Sequence, residues 1–407
     1  MKKAISFILI LSLIFSLSAC GKKKKPDIEV VREYESQTLE ENYNGEQKTA
    51  LNPTGTYDFK NGYAWISIES GGSKTYHLID TSGKIIYTST SIYSVHDMSN
   101  DACFVQERIS ENKYVYKIIN KNGQVVASSA DGKFDEILAS GDNLFFVHKY
   151  EGSIDSSRHL YGTVNEKGEF VNQLREAPSG VVLNYLDSKY IGGKAFLIGS
   201  VGYIYMSSID KYFGKGIKTA ECIGNNIYLI NDGSIQAEES EKEYNKYFDH
   251  SYDCVVIHAD GTIGKSPKFE KIVSGLLITR EKDAVSFTDP TTGKNSVFSK
   301  YYVTDVEAAD NNVLLKLEGK DGKNYSTVID KNCNILFEPV AGYANAGGGK
   351  VSIKTTDGYA VLDYSGNVLI NPGTYKSIRA FNSGIAWAKN SSDQYVGIDE
   401  KGNVVIS

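Results

Sequence analysis

Asn61-Gly62-Tyr63-Ala64-Trp65-Ile66, followed by Leu78-Ile79-Asp80-Thr81-Ser82-Gly83-Lys84-Ile85-Ile86, is the stretch on which the fold turns. A Gly/Asn turn opens it and an apolar strand follows. A polar hairpin then leads to a second apolar strand, which ends in Asp with a Gly three residues later. The Asp side chain bonds backbone two residues on and so starts a tight turn. The Gly supplies the positive φ that a three-residue hairpin with a bulge requires. The same unit recurs at the other end of the chain, as Ser383-Gly384-Ile385-Ala386-Trp387-Ala388 and then Gly397-Ile398-Asp399-Glu400-Lys401-Gly402-Asn403-Val404-Val405.

Between these copies lie turns at Asn120 to Gly123, Asn165 to Gly168, Asp330 to Cys333 and Asp363 to Gly366. Looser copies end at Asp260-Gly261 and Thr292-Gly293, and a degenerate one ends near Gly214. Successive turns fall roughly 32 to 47 residues apart, a spacing typical of repeat architectures. Eight units are recognisable and one is doubtful. Cys333 stands where the other copies have Gly, so a positive φ is predicted there at a cost, and Cys333→Gly is expected to stabilise the protein.

The strands between turns decide the fold class, which is all-β. Val313-Leu314-Leu315, Ala195-Phe196-Leu197-Ile198 and Cys254-Val255-Val256-Ile257 are apolar on both faces. Radial stacking of blades buries both faces. The expectation is therefore a β-propeller of about seven to nine blades over residues 57–407. The alternative is an open β-hairpin solenoid, which would need polar capping units; the last repeat runs to Ser407 without one. Trp65 and Trp387 hold equivalent positions in the first and last units, which closure would make neighbours. Filling between blades is the expected role for them, with ligand stacking as the alternative.

These units resemble the WG-containing repeat of bacterial secreted and surface proteins, best over 59–86 and 381–406. Gly397 and Gly162 keep that family's second-strand glycine, which most copies lack. The units also resemble β-propeller blades. Neither resemblance specifies a function.

The N-terminus is of another kind. Met1-Lys2-Lys3 precedes an apolar run from Ala4 to Ala19, the layout of a secretory signal peptide. The run is shorter than the ~20 residues a membrane-spanning helix needs. It ends in Leu17-Ser18-Ala19-Cys20-Gly21, which resembles the lipobox of bacterial lipoproteins. That resemblance implies recognition of Leu17, Ser18 and Ala19 by a signal peptidase, removal of residues 1–19, and lipidation (diacylglyceryl, palmitate-type chains) on Cys20. The lipid would hold the protein in the bilayer at the extracytoplasmic face of the cell membrane. Lys22 to Lys25 would sit at anionic headgroups or simply begin a soluble tether. Residues 20–56 are predicted to be a flexible polar tether.

Formal charge is −6; setting aside the six lysines at 2, 3 and 22–25 leaves 38 basic against 50 acidic residues. An acidic body lacks the basic footprint of a nucleic-acid binder. Beyond Cys20 the cysteines are Cys103, Cys222, Cys254 and Cys333, with no CxxC spacing. Cys103 and Cys254 fall in apolar strands, as buried thiols would. Cys222 and Cys254 share one repeat, which leaves a bridge between them as an alternative.

No catalytic or cofactor motif stands out, and no metal or cofactor is expected. The repeat-turn acids lack the alternating oxygen ligands of a calcium loop, so their role is predicted to be structural. Histidines 77, 96, 148, 159, 250 and 258 are scattered without ligand-like spacing. Gln236 to His250 is a charged insertion in the fifth unit. It is a solvated excursion, a short helix or a contact on the binding face. Three functions remain. The favoured one is a membrane-anchored binding or scaffold module for an envelope or secreted protein, peptide or glycan. The others are an extracellular polysaccharide-acting enzyme with acids in a funnel, and a structural spacer of an envelope complex.

Overall fold

The computed structural model describes Ile28 and residues 49–407, except 153–157, 178–187, 199–201, 214–215, 232–253, 282–283 and 357. Leu17, Ser18, Ala19, Cys20 and the Gln236–His250 insertion lie outside the described residues, as does Gly214.

Nine four-stranded antiparallel sheets follow one another, over residues 55–89, 92–128, 136–176, 189–213, 217–265, 271–298, 303–341, 344–370 and 377–406. In each sheet the strands pair in chain order. First strands of neighbouring sheets lie side by side from blade 3 to blade 8, so the first strand is innermost and the fourth outermost. The doubtful sequence unit is blade 4. Its last turn, Ser207 to Asp210, carries Asp210 at φ 50 and has no glycine, which is why the repeat signature fades there.

Successive side chains on a strand point to opposite faces, and both faces are covered. Val313, Leu314 and Leu315 are fully buried, as are Ala195, Phe196 and Ile198. Among the described residues, apolar clusters fill every seam between consecutive blades. The seam between blade 9 and blade 1 is filled in the same way, by Trp387 and Ile385 against Phe59, Ala64 and Ile66. The sheets therefore close into a nine-bladed β-propeller.

The two tryptophans make closure concrete. Trp65 of blade 1 donates its indole N–H to the His96 carbonyl of blade 2 at 3.0 Å. Trp387 of blade 9 donates to the Tyr57 carbonyl of blade 1 at 2.9 Å and stacks on Phe59. Both are buried, so each fills a seam rather than facing solvent. Arg379 of blade 9 also reaches the Thr56 carbonyl and the Asp58 carboxylate of blade 1. Ordered pairing begins upstream of residue 57, where the sequence periodicity starts. Thr49 pairs in parallel with Ile406, and the Asn52 N–H donates to the Ser407 carbonyl at 2.8 Å.

Candidate functional site

Each blade has two ends. One carries the first-to-second and third-to-fourth turns; we call this the turn face. The other carries the second-to-third hairpins and the connections between blades, and is the hairpin face.

The repeat-turn residues lie on the turn face. Asp80 Oδ1 accepts the backbone N–H of Ser82 at 2.9 Å and of Lys84 at 3.1 Å. Asn120, Asn165, Asp330, Asp363 and Asp399 accept from the same two relative positions. Gly83, Gly123, Gly168, Gly366 and Gly402 hold positive φ, and Cys333 holds φ 66 in the sixth such turn. At Gly123 a Cβ would lie 2.0 Å from the Ile86 carbonyl oxygen, so space as well as φ demands glycine there. Partial burial pulls the Asp330 and Asp363 carboxyls upward. Hydrogen bonds, chiefly from Asn334 and Asn367, outweigh it and hold both below the usual range. These oxygens are committed to their own turns. Among the described residues no group of three or more His, Cys, Asp or Glu is placed to hold a metal.

The four described cysteines are free thiols, Cys222 and Cys254 included. Burial pushes the Cys103 thiol up to about 12 and the Cys333 thiol up to about 11.

The inner strands line two cavities that meet at His96. One, of about 610 Å³, opens between blades 1 and 4 and is lined by Lys60, Asp97, Asp142 and Tyr190. The other, of about 660 Å³, opens where blades 2 and 3 part, beside Tyr93, Tyr114, Gln106, Asp135 and Glu136. The His96 ring stacks on Phe104, with centroids 3.7 Å apart, and burial pushes its pKa down to about 4.

Two histidines that look unrelated in the sequence meet in blade 3. Leu144–Glu151 and Arg158–Asn165 pair so that His148 faces Tyr161 and His159 faces Tyr150. His148, 1% exposed, contacts the Glu136 carboxylate through Nδ1 at 3.2 Å and His159 Nδ1 through Nε2 at 3.1 Å. The two imidazoles are parallel within 5° and their nitrogens face one another. A zinc ion between two such nitrogens needs about 2.0–2.1 Å to each, so this spacing is that of a hydrogen bond. Burial, then the neighbouring His148, hold the His159 pKa below its ordinary value despite the opposing pull of Glu136. Of the remaining described histidines, His77 bonds Thr88 and His258 bonds Asn226.

The exposed aromatic side chains are not scattered. Among the described residues they are Tyr57, Tyr93, Tyr150, Tyr302 and Tyr343. Tyr57 lies beside Lys74 and Tyr76 near the first hairpin. Tyr93 leans on Tyr114, with centroids 4.8 Å apart. Tyr150 ends the second strand of blade 3. Tyr302 and Tyr343 sit in connections between blades, and the Tyr343 hydroxyl accepts from Asn324 Nδ2. Tyr93, Tyr150, Tyr302 and Tyr343 lie at the hairpin face, whereas Tyr57 follows the first strand in the first-to-second connection of blade 1. The sequence offers an abundance of tyrosine, 28 in all, but these five share no single repeat position, so periodicity could not find them.

Nine four-stranded sheets closed into a ring define a β-propeller repeat protein. A family model described as WG containing repeat matches residues 359–392, which run through the last two strands of blade 8 and the first two of blade 9. No curated protein matches the chain. Similar solved structures include a eukaryotic initiation factor, at 10% identity over 85% of this chain and 89% of that one, with a TM-score of 0.45. The Dos1 propeller matches at 10% identity over 88% and 95%, with a TM-score of 0.35. BamB from Moraxella catarrhalis matches at 11% identity over 84% and 82%, with a TM-score of 0.25.

Proposed function

We propose that this protein is a membrane-anchored, extracytoplasmic binding or scaffold module that engages an envelope or secreted partner through its hairpin face. The observation that carries the reading is the gathering of four of the five exposed aromatic side chains among the described residues, Tyr93, Tyr150, Tyr302 and Tyr343, on that face. Tyrosine supplies large contact area with a polar tip at low entropic cost, and it is enriched at binding hot spots. On the opposite face the repeat-turn Asp and Asn side chains are spent on their own turns. The charged Gln236–His250 insertion connects Asn226–Asn231 to Cys254–Ile257, the second and third strands of blade 5. Those are the strands that a hairpin-face loop joins. Anchoring would come from the lipid on Cys20, a reading that rests on the sequence of residues 1–21.

A polysaccharide-acting enzyme is the second reading, because Asp135 and Glu136 share one cavity. A glycosidase needs two carboxyl groups on either side of the scissile bond. These two are neighbours in the chain, and Glu136 is held by His148, so binding has the better support.

The test is capture of envelope or secreted material by the full chain. Replacing Tyr150, Tyr302 and Tyr343 together by Ser is expected to abolish capture. Replacing the exposed turn-face residues Lys84, Lys167 and Lys401 by Ser is expected to leave it intact. Equal capture by both variants would overturn the assignment of the face.

A further inference from the structure

Buried His148 and the cleft between blades 2 and 3 have no part in closing the ring, and their chemistry points to one class of ligand. The cleft is a cavity of about 660 Å³ on the hairpin face. Its blade 2 wall carries Tyr93, which is 61% exposed, tilted at 57° to Tyr114. Beside them Gln106 is held at both ends of its amide. Ser94 Oγ donates to Oε1 at 3.2 Å, and Nε2 donates to the Tyr116 hydroxyl at 3.0 Å. A primary amide has two N–H donors, so a second one remains for a ligand.

The blade 3 wall presents acceptors. Asp135 Oδ2 accepts the Tyr150 N–H at 2.7 Å, and Glu136 Oε2 contacts His148. Each carboxylate keeps its other oxygen. Glu136 is oriented by His148, which is itself bonded to His159.

Charge decides between a cation and a neutral ligand. Two carboxylates beside aromatic rings would suit an ammonium group. Here, however, Lys113 also lines the cleft and offsets one of the two carboxylates. Each carboxylate already has a protein partner, the Tyr150 N–H for Asp135 and the His148 imidazole for Glu136. What remains is an aromatic platform flanked by one fixed donor and several fixed acceptors. A pyranose ring meets that arrangement, with its C–H face packed on the negative face of a tyrosine ring and its hydroxyls bonding carboxylate and amide.

We infer that the cleft between blades 2 and 3 is a binding subsite for a neutral sugar residue of a glycan, with Tyr93 as platform, Asp135, Glu136 and Gln106 as hydrogen-bonding groups, and His148 as a positioning residue. The inference deepens the hairpin-face reading and rests on it.

The experiment is titration of the full chain with chitotetraose, cellotetraose and maltotetraose, and in parallel with an oligolysine peptide. At least one oligosaccharide is expected to bind. Tyr93→Ala should weaken it by about tenfold, the scale of a contact hot spot; Tyr93 is mostly exposed, so its loss leaves the core intact. Glu136→Gln, nearly isosteric, should weaken it as well, and Tyr343→Ala should not. No sugar binding up to about 10 mM, a very weak affinity, would overturn the inference. So would binding of oligolysine alone, or sugar binding that survives both Tyr93→Ala and Glu136→Gln. Loss of partner capture in the Tyr150, Tyr302 and Tyr343 variant without any sugar binding would sink this inference alone. Sugar binding that depends on Tyr93, with partner capture untouched by that variant, would sink the partner-capture reading alone.

Discussion

His96 should make the ring acid-sensitive in a window of its own. Its imidazole is stacked on Phe104 between the two cavities, and burial lowers its pKa from an ordinary 6.5 to about 4. The unfolded chain therefore takes up this proton at higher pH than the folded one. The stabilisation is fully present above pH 6.5 and is lost as the pH falls through the folded value near 4. At 1.36 kcal/mol per pKa unit, the loss amounts to about 2–3 kcal/mol by pH 4.5. Carboxylates held below their ordinary range, such as Asp289, Asp305 and Asp363, act lower down. Their contribution is present above the unfolded carboxyl value and fades only beneath it, so the two windows separate. The perturbation is His96→Phe, which keeps a ring against Phe104 and cannot ionise. Urea midpoints of the full chain at pH 7 and pH 4.5 give the assay. The native chain should lose stability by the amount above, and the variant should lose correspondingly less. An identical loss in both proteins would refute the placement of the half-buried His96 ring against Phe104.

Three further outcomes follow from the seams and turns. Cys333→Gly relieves a left-handed residue, worth about 1–2 kcal/mol, against the added chain entropy of glycine of about 0.5–1 kcal/mol. It should therefore raise the melting temperature slightly, and a lower one would contradict the strain argument. Trp387→Ala empties the seam between blades 9 and 1 and should cost about 3–5 kcal/mol by thermal unfolding. Trp387→Phe should cost less, chiefly the bond to the Tyr57 carbonyl. An unaffected Trp387→Ala protein would mean that the ring is open there. Deleting the chain up to Thr54 removes the pairing of Thr49 with Ile406 and of Asn52 with Ser407. Hydrogen exchange should then rise in the last strand, Val404–Ile406, and not in blade 5.

The repeat was legible because its signal is local. An Asp or Asn and a Gly three residues apart fix each turn through bonds that span at most four residues, as Asp399 does with Lys401 and Asn403. Closure was legible through one long-range clue, the matching Trp65 and Trp387. Blade 4 was obscured because its turn reaches positive φ with Asp210 instead of glycine. The candidate site was hardly legible at all. Strand register joins His148 to His159 across a hairpin, and the cleft joins Tyr93 of blade 2 to Glu136 of blade 3. Neither pairing leaves a linear motif. Exposure on one face depends on which end of a strand a tyrosine occupies, a property the repeat spacing does not encode at Tyr302 or Tyr343.

The most direct test of the account is hydroxyl-radical footprinting of the protein on intact envelopes, compared with the purified chain. Tyr93, Tyr150, Tyr302 and Tyr343 should be protected on the envelope, while exposed outer-strand residues such as Val125, Val171 and Val297 react alike in both samples. Protection confined to the outer strands or the turn face, with the tyrosines fully reactive, would contradict the claim that the hairpin face is where this propeller binds.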